Sequence, residues 1–294
     1  MWTQTVDLHS HSTKSDGAHP IAYVAGLMAS NGVKIWSLTD HDTTEGWQEA
    51  YDEANRVGMT FVAGIEITCQ PEIDAQPATL TERGQERASA SWHVLAFFPD
   101  WTPTKVHPRV EAFKAWLEPY RSGRGPRMER MVERLRQLGM PLNADEIRAK
   151  AEGSVGRPHL AQSMVDAGYV SSIREAFDVW IGDGLPGFVP HCKPRLAEVA
   201  QVVHEAGGIL SLAHPWYYGV DTPTLLRCLQ NHDIEAVEAF HRSHPDWYRY
   251  ELSEACPNFG LKCTVGSDFH TEEEGHRPGH MPAIAALLPE QLPS

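Results

Sequence analysis

The stretch Thr5-Val6-Asp7-Leu8-His9-Ser10-His11 joins a short strand-like run to two histidines that are two residues apart. Alternate residues of a strand point to the same side, so both imidazoles are predicted to face one side of a sheet. Asp268-Phe269-His270 repeats this spacing after the strand-like run 262–267, near the other end of the chain. The two stretches predict that polar groups gather where a first and a last strand end.

Between these two stretches, strand-like and helical patterns alternate. The predicted strands are 5–9, 34–39, 60–67, 93–98, 208–213, 234–240 and 262–267. Apolar residues recur at helical spacing across 21–28, where Pro20 and Gly32 are predicted to mark the ends of the helix, and across 196–206. Such alternation implies an α/β fold with a mostly parallel sheet. About seven units favour a distorted barrel, although periodicity alone does not separate a barrel from an open sheet.

Residues 104–190 interrupt this alternation, because they carry helical patterns without strands. We predict that they form a small helical insert, and that 1–103 and 191–294 form the barrel domain. The apolar positions that indicate insert helices are Met128, Met131, Val132, Leu135 and Leu138, after Pro126 and before Gly139, and then Ile173, Phe177 and Trp180. The polar segment 70–91 is predicted to be a loop.

Composition limits the classes of function. The chain has 294 residues with no apolar run near the roughly 20 that a membrane helix needs. Its five cysteines show no CxxC spacing, which favours reduced thiols and a cytoplasmic location over a disulfide framework. The net charge of −14 argues against sequence-independent nucleic-acid binding, so we expect no stable nucleic-acid complex. An anionic substrate stays compatible, since bound metal ions would reverse the charge locally.

Polar residues also end most of the other predicted strands, where the sites of α/β barrels form. The candidate metal ligands are His9, His11, Asp16, His41, Glu66, His93, His214, Asp268 and His270. His93 is an exception because it opens its strand; either the boundary is misplaced or that strand runs against the others. One such cluster is commonly incidental, but buried unpaired carboxylates at several strand ends would cost several kcal/mol. Imidazoles and carboxylates without thiolate suit Zn²⁺, Mn²⁺ or Fe²⁺.

Five motifs together resemble the polymerase-and-histidinol-phosphatase (PHP) superfamily. They are Asp7-Leu8-His9-Ser10-His11-Ser12, Leu38-Thr39-Asp40-His41-Asp42, Gly64-Ile65-Glu66, Leu212-Ala213-His214-Pro215 and Gly266-Ser267-Asp268-Phe269-His270. Gly156-Arg157-Pro158-His159-Leu160-Ala161, in the predicted insert, resembles the branch that contains 3′,5′-nucleoside bisphosphate phosphatases and 5′→3′ exoribonucleases. The resemblance covers nearly the whole chain and implies a distorted (β/α)7 barrel.

The resemblance also implies two or three divalent metal ions, with Mn²⁺ expected first and Zn²⁺ or Fe²⁺ as alternatives. Three ligand sets are implied: His9, His11, Glu66 and Asp268; then Glu66, His93 and His214; then Asp16, His41 and His270. The expected reaction is metal-assisted hydrolysis of a phosphomonoester, which needs no serine or cysteine nucleophile. We assign Asp40 and His241 to the catalytic set, His241 as a candidate acid for the leaving group. A hydrogen-bonded histidine at a strand end is an equal alternative for His241.

The expected substrate is a small nucleotide, a 3′,5′-nucleoside bisphosphate that loses its 3′-phosphate. Arginine matches phosphate oxygens, and we hypothesise that Arg157, His159 and either Arg124 or Arg127 bind the 3′-phosphate. Trp216 follows His214-Pro215 and is expected either to stack on a base or to serve in packing. The alternatives are an exoribonuclease on short RNA, a phosphatase for histidinol phosphate or another small ester, and a non-catalytic metal-stabilised module.

Overall fold

The computed structural model describes residues 5–73, 91–151, 153–272 and 277–279. Most of the predicted loop 70–91 lies outside the described residues. Every predicted strand corresponds to an observed one, with boundaries that shift by a few residues. The strands are β1 (Val6–Asp7), β2 (Ile35–Leu38), β3 (Thr60–Cys69), β4 (Trp92–Phe98), β5 (Ile209–Leu212), β6 (Ala236–His241) and β7 (Lys262–Gly266).

The strands form one nearly closed sheet in chain order. Neighbouring strands are parallel except β4, which is antiparallel to both β3 and β5. The chain after β1 meets the end of β7, where Leu8 N donates to Val265 O (3.0 Å) and Asp268 N donates to His9 O (2.8 Å). The predicted α/β class and distorted seven-stranded barrel are therefore confirmed.

The reversed direction of β4 resolves the exception at His93. This strand starts where its neighbours end, so a residue at its beginning lies at the carboxyl edge of the other strands. His93 pairs in register with Thr68, near the end of β3. The predicted start of the strand is correct to one residue, so a misplaced boundary does not explain the position of His93. The strand runs against its neighbours instead.

Helices surround the barrel, and the helix predicted across 21–28 is α1 (Ile21–Ser30), with Pro20 just before it rather than in its first turn. The other helices that flank barrel strands are α2 (Trp47–Arg56), α8 (Leu196–Glu205), α9 (Thr222–Asn231) and α10 (Asp246–Ala255), with 3₁₀ turns at Pro215–Tyr218 and Cys256–Phe259. None of the described helices is both long and apolar enough to cross a membrane. The apolar faces of these helices cover the outside of the sheet.

The segment between β4 and α8 contains helices and none of the described strands. Its helices are α3 (Pro108–Ser122), α4 (Arg124–Gln137), α5 (Ala144–Lys150), α6 (Arg157–Asp166) and α7 (Ile173–Glu175), which a π-helix (Ala176–Ile181) extends. Residues from α4 to the π-helix share a hydrophobic cluster separate from that of the barrel. Two details of the prediction are wrong: α4 already begins before Pro126, and Leu138 and Ile173 are exposed rather than buried.

Candidate metal centre

Glu66, in the second half of β3, lies at the middle of a group of histidines. Its side chain is only 1% exposed. The nitrogens His9 Nε2, His11 Nε2 and His41 Nδ1 lie 3.3, 3.2 and 3.1 Å from Glu66 Oε2. On the other oxygen, His93 Nδ1 and His214 Nε2 lie 2.9 and 3.0 Å from Oε1. Five histidines from four segments that are remote in sequence therefore converge on one carboxylate, which suits the role of a bridging ligand.

Three overlapping groups of ligand atoms surround this carboxylate, and within each group the atoms lie within 4.8 Å of one another. The groups are His9, His11, Glu66 and Asp268; His11, Asp16, His41 and His270; and His41, Glu66 and His93. The structure thus brings together all nine residues that the sequence singled out as ligands, His214 through its contact with Glu66. Two of the groups differ from the implied sets: His11 joins Asp16, His41 and His270, and His41 rather than His214 groups with Glu66 and His93.

Several ligand atoms at this centre have no hydrogen-bond partner among the described residues. They are His9 Nε2, His11 Nε2, His41 Nδ1, Glu66 Oε2 and His93 Nδ1, and all are buried. A buried polar atom without a partner is costly, and protein interiors rarely leave one unsatisfied. Divalent cations held by the overlapping groups would supply partners for these atoms, so the residues present fit a metal centre.

The charges of the carboxylates suit the same role. Burial opposes ionisation of Glu66, yet His41, His9 and His93 hold the pKa of its carboxyl well below the usual value. Burial likewise opposes ionisation of Asp268, but His270 and His9 hold the pKa of that carboxyl well below its usual value. Both carboxylates are therefore ionised, which is the form that binds metal.

A cationic cleft opens beside this centre, between the barrel and the helices that follow β4. Its cavity volume is about 140 Å³, and its wall on the metal side includes Asp16, His41 and His93. The basic groups that line the cleft are Arg124, Arg127, Arg157, His191 and Lys193. Three of the four residues that the sequence assigned to phosphate binding thus share one cleft.

The arginines of the cleft differ in how their charge is balanced. Arg124 pairs with Asp42 and donates to Thr68 Oγ1 (3.1 Å), and Arg157 pairs with Asp183 (2.7 Å). The described partner of Arg127 is neutral, because its Nε donates to Val189 O (2.8 Å). Burial and the neighbouring Arg157 and Arg124 lower the pKa of Arg127 to about 9. The cleft therefore has more positive than negative charge around Arg127.

Comparisons with known proteins agree with this geometry. A family model described as the PHP domain matches residues 7–125. A 3′,5′-nucleoside bisphosphate phosphatase from Chromobacterium violaceum is 30% identical over 295 residues, which cover 94% of this chain and 90% of that protein. The chain belongs to the PHP domain family.

Further relatives define the class of reaction. A 5′-3′ exoribonuclease from Haemophilus influenzae is 28% identical over 271 residues, covering 91% of this chain and 90% of that protein. A solved structure from Chromobacterium violaceum, named an amidohydrolase and holding sulfate without metal, superposes with a TM-score of 0.79 at 27% identity, covering 95% of this chain and 91% of that one. Phosphatases and exoribonucleases both hydrolyse phosphate esters. This PHP protein is therefore a phosphoesterase with a metal-site cluster of histidines and carboxylates.

The PHP centre has a buried carboxylate that sequence reasoning missed. Glu238, in the middle of β6, is fully buried. Its Oε1 lies 3.0 Å from His9 Nδ1, and its Oε2 accepts a hydrogen bond from His214 N (2.7 Å). A carboxylate behind a metal-binding histidine orients the ring and raises its basicity. The available signal was an acidic residue inside an otherwise apolar strand.

Glu238→Gln is expected to weaken metal binding roughly 10- to 100-fold, because an amide holds the His9 ring less firmly in its ligand orientation. Metal titration of the apo protein, followed by calorimetry, measures this change. Glu254→Gln, on the exposed end of α10, is the matched control and should leave the affinity unchanged. Wild-type metal affinity in Glu238→Gln would contradict the orienting role.

The two predicted catalytic residues are both buried. Asp40 accepts hydrogen bonds from Ser12 N (2.8 Å), Ser12 Oγ (2.7 Å) and Ser15 Oγ (2.6 Å), so it fixes the turn that carries Asp16. His241 Nε2 lies 3.3 Å from Asp268 Oδ2, and burial lowers the pKa of the imidazole. These positions place Asp40 behind the ligand groups and His241 against one of them.

The remaining predicted substrate contacts, His159 and Trp216, are not among the residues that line the cleft. His159 Nδ1 accepts a hydrogen bond from Gly156 N (3.0 Å) at the start of α6. This ring nitrogen is therefore occupied by a contact within the helix. Trp216 packs against Trp247 and Tyr248, at ring-centroid distances of 5.4 and 5.1 Å. Its neighbour Tyr217 is exposed and lies 5.5 Å from the His214 ring. The packing alternative thus describes Trp216 better, and Tyr217 faces the metal centre instead.

Proposed function

We propose that this phosphoesterase removes the 3′-phosphate of 3′,5′-nucleoside bisphosphates such as adenosine 3′,5′-bisphosphate, giving a 5′-nucleotide and phosphate, with Mn²⁺ as its metal. The observation that carries the proposal is the cationic cleft beside the ligand cluster. A bisphosphate has two phosphates a ribose apart, and the site offers two places for anions next to each other. The bisphosphate phosphatase relative, with 94% of this chain aligned, supports the same substrate.

The size and charge of the cleft suit a phosphate. Its volume of about 140 Å³ is smaller than the roughly 300–1,000 Å³ of pockets that enclose drug-sized ligands. Guanidinium groups bind phosphate oxygens through paired hydrogen bonds, and Arg127 faces a carbonyl rather than a carboxylate. Because the 3′-phosphate is the group cleaved, the phosphate held in the cleft is the 5′ one. This revises the hypothesis that the arginines bind the 3′-phosphate.

The residues of the chain divide the chemistry between them. The chemistry that divalent ions supply, when bound, is polarisation of the phosphoryl group and activation of water. His9, His11, Asp16, His41, Glu66, His93, His214, Asp268 and His270 would hold them. Glu238 and Asp40 keep their ligand-bearing segments in place. The cleft binds the second phosphate and thereby orients the ester toward the centre.

We further propose that residues 104–190 act as the cap that sets substrate specificity, leaving 1–103 and 191–294 as the barrel. Arg124, Arg127 and Arg157 all belong to helices of this segment. The ion pair Arg124–Asp42 links α4 to the barrel, and the ion pair Arg157–Asp183 links α6 to the end of the cap. Changes in the cap should therefore alter which ester is cleaved rather than whether esters are cleaved.

Arg127→Ala is expected to lower kcat/KM for adenosine 3′,5′-bisphosphate roughly 10- to 100-fold, since a hydrogen bond to a charged group contributes about 1.5–3 kcal/mol. For adenosine 3′-monophosphate, which lacks the 5′-phosphate, it should change little. Arg130→Ala, three residues further along α4 and exposed, is the matched control. An equal loss of kcat/KM on both nucleotides would indicate that the cleft binds the phosphate being cleaved.

Comparison of substrates tests the proposal against the exoribonuclease alternative, which the relative from Haemophilus influenzae supports. Phosphate release from adenosine 3′,5′-bisphosphate should exceed nucleotide release from a 5′-phosphorylated oligoribonucleotide at equal concentration. The reverse ranking would favour the exoribonuclease. A protein that binds stoichiometric metal but hydrolyses none of a panel of nucleotides, sugar phosphates and histidinol phosphate would refute the enzymatic proposal.

A further inference from the structure

Arg242 directly follows the last residue of β6, at the edge of the barrel where the metal ligands lie. The backbone here is fixed by Arg249, a residue of α10 that is 3% exposed. Its guanidinium donates to His241 O (2.9 and 3.2 Å) and to Arg242 O (3.0 Å), and it pairs with Asp246 (2.6 Å). The chain therefore holds the start of the Arg242 side chain in a defined position.

The guanidinium of Arg242 lacks a full set of acceptors. Its NH1 is buried and has no hydrogen-bond partner among the described residues. Its NH2 lies 3.7 Å from Asp268 Oδ2, too far for a hydrogen bond. Arginine beside a carboxylate ordinarily forms two short parallel hydrogen bonds. A buried cationic N–H group without an acceptor indicates that an anionic ligand completes this site.

Asp268 places that guanidinium next to the reacting centre. Its Oδ1 faces the ligand cluster, 3.4 Å from His9 Nε2 and 3.2 Å from His11 Nε2. Its Oδ2 faces the other way, toward His241 and Arg242. Arg242 is thus one carboxylate away from the metal centre. It is not among the residues that line the cationic cleft, so its role is separate from that of Arg127.

We infer that Arg242 is a catalytic residue that donates hydrogen bonds to non-bridging oxygens of the phosphoryl group under attack. The inference rests on the phosphate-ester hydrolysis described above. In that hydrolysis, a water oxygen forms the new bond to phosphorus, the ester P–O bond breaks, and a proton of the water ends on the leaving alkoxide. Arg242 exchanges no atoms; it stabilises negative charge on the phosphoryl oxygens as the bonds change.

The test compares Arg242→Ala and Arg242→Lys with the wild type on two substrates, adenosine 3′,5′-bisphosphate and p-nitrophenyl phosphate. We expect Arg242→Ala to lower kcat/KM roughly 10- to 100-fold on both, with metal content and Tm unchanged. Added guanidinium ion should restore part of the activity of Arg242→Ala, and Arg242→Lys should retain more than Arg242→Ala. Arg136→Ala, on the exposed side of α4, is the control arginine.

Three results would overturn the inference. Wild-type activity in Arg242→Ala would show that the guanidinium does not contact the phosphoryl group. Loss of metal together with activity would make Arg242 a positioning residue for Asp268. A loss confined to the bisphosphate would place it on the second phosphate. Because p-nitrophenyl phosphate has one phosphate and no nucleoside, failure of the bisphosphate proposal leaves this test intact: the wild type would then hydrolyse only the simple ester.

Discussion

Glu66→Gln should abolish metal binding at the shared position and lower kcat/KM at least about 10³-fold, since metal stabilisation of a phosphoryl transition state is worth several kcal/mol. Five histidine nitrogens lie within 3.3 Å of the two carboxylate oxygens. The amide of glutamine has one oxygen, which is a weaker metal ligand than a carboxylate oxygen. Its NH₂ group would face histidine nitrogens that must bind metal. Elemental analysis and kcat/KM on p-nitrophenyl phosphate measure both consequences.

The control for this substitution is Glu133→Gln, on the exposed surface of α4, which should retain metal and activity. Thermal unfolding adds an independent reading. Metal should raise the Tm of the wild type and of Glu133→Gln, because a ligand that binds only the folded state stabilises it. It should leave the Tm of Glu66→Gln nearly unchanged. Full metal occupancy in Glu66→Gln would show that Glu66 does not bridge the site.

The barrel and the ligand residues could be predicted because both depend on local patterns. Each strand is a short apolar run, and most ligands lie at or near the end of one, so alternation and strand ends suffice to place His9, Glu66 and Asp268 at one edge. The direction of β4 could not be predicted this way. A parallel strand needs a crossover and an antiparallel one does not, but the residues before His93 show no pattern that separates the two.

The supporting residues were harder to predict because their roles depend on contacts between distant segments. Glu238 and His9 are 229 residues apart and meet only when the barrel closes. Arg242 follows the candidate acid His241, and its nearness to Asp268 likewise depends on the pairing of β6 with β7. In the insert, arginines could be predicted as phosphate ligands from their residue type. Their ion-pair partners Asp42 and Asp183 could not be predicted from the sequence.

Backbone conformation shows where the fold is strained to form the site. Of the described residues other than glycine, those with positive φ are Asp42, His214, Asp233 and Asp268. His214 and Asp268 belong to the ligand group, and Asp42 anchors Arg124. Such conformations cost of order 1–3 kcal/mol each and persist where the surroundings enforce them. The strain is concentrated at strand ends that turn sharply to present side chains to the centre.

The glycine of the last motif shows how closely the closed barrel packs behind these ligands. Gly266 ends β7, and a Cβ added there would lie 2.1 Å from His9 Cβ and 2.4 Å from Glu238 Oε1. Both neighbours are fully buried and joined to each other, so neither has room to move. Gly266→Ala should therefore displace His9 from the centre and destabilise the fold by about 1–3 kcal/mol.

The activity of Gly266→Ala should fall by more than about 10²-fold, since a displacement of about 1 Å already costs that much and the hydrogen bond from His9 to Glu238 is disturbed as well. Gly26→Ala, in the middle of α1, is the matched control, because a Cβ there meets nothing within 4 Å. It should retain activity and gain about 0.5–1 kcal/mol from helix propensity. Denaturant unfolding and kcat/KM, measured for both variants, test this prediction. Equal stability and activity of the two alanine variants would contradict it. That result would show that the backbone around Gly266 can shift to accommodate a Cβ without disturbing the His9–Glu238 pair.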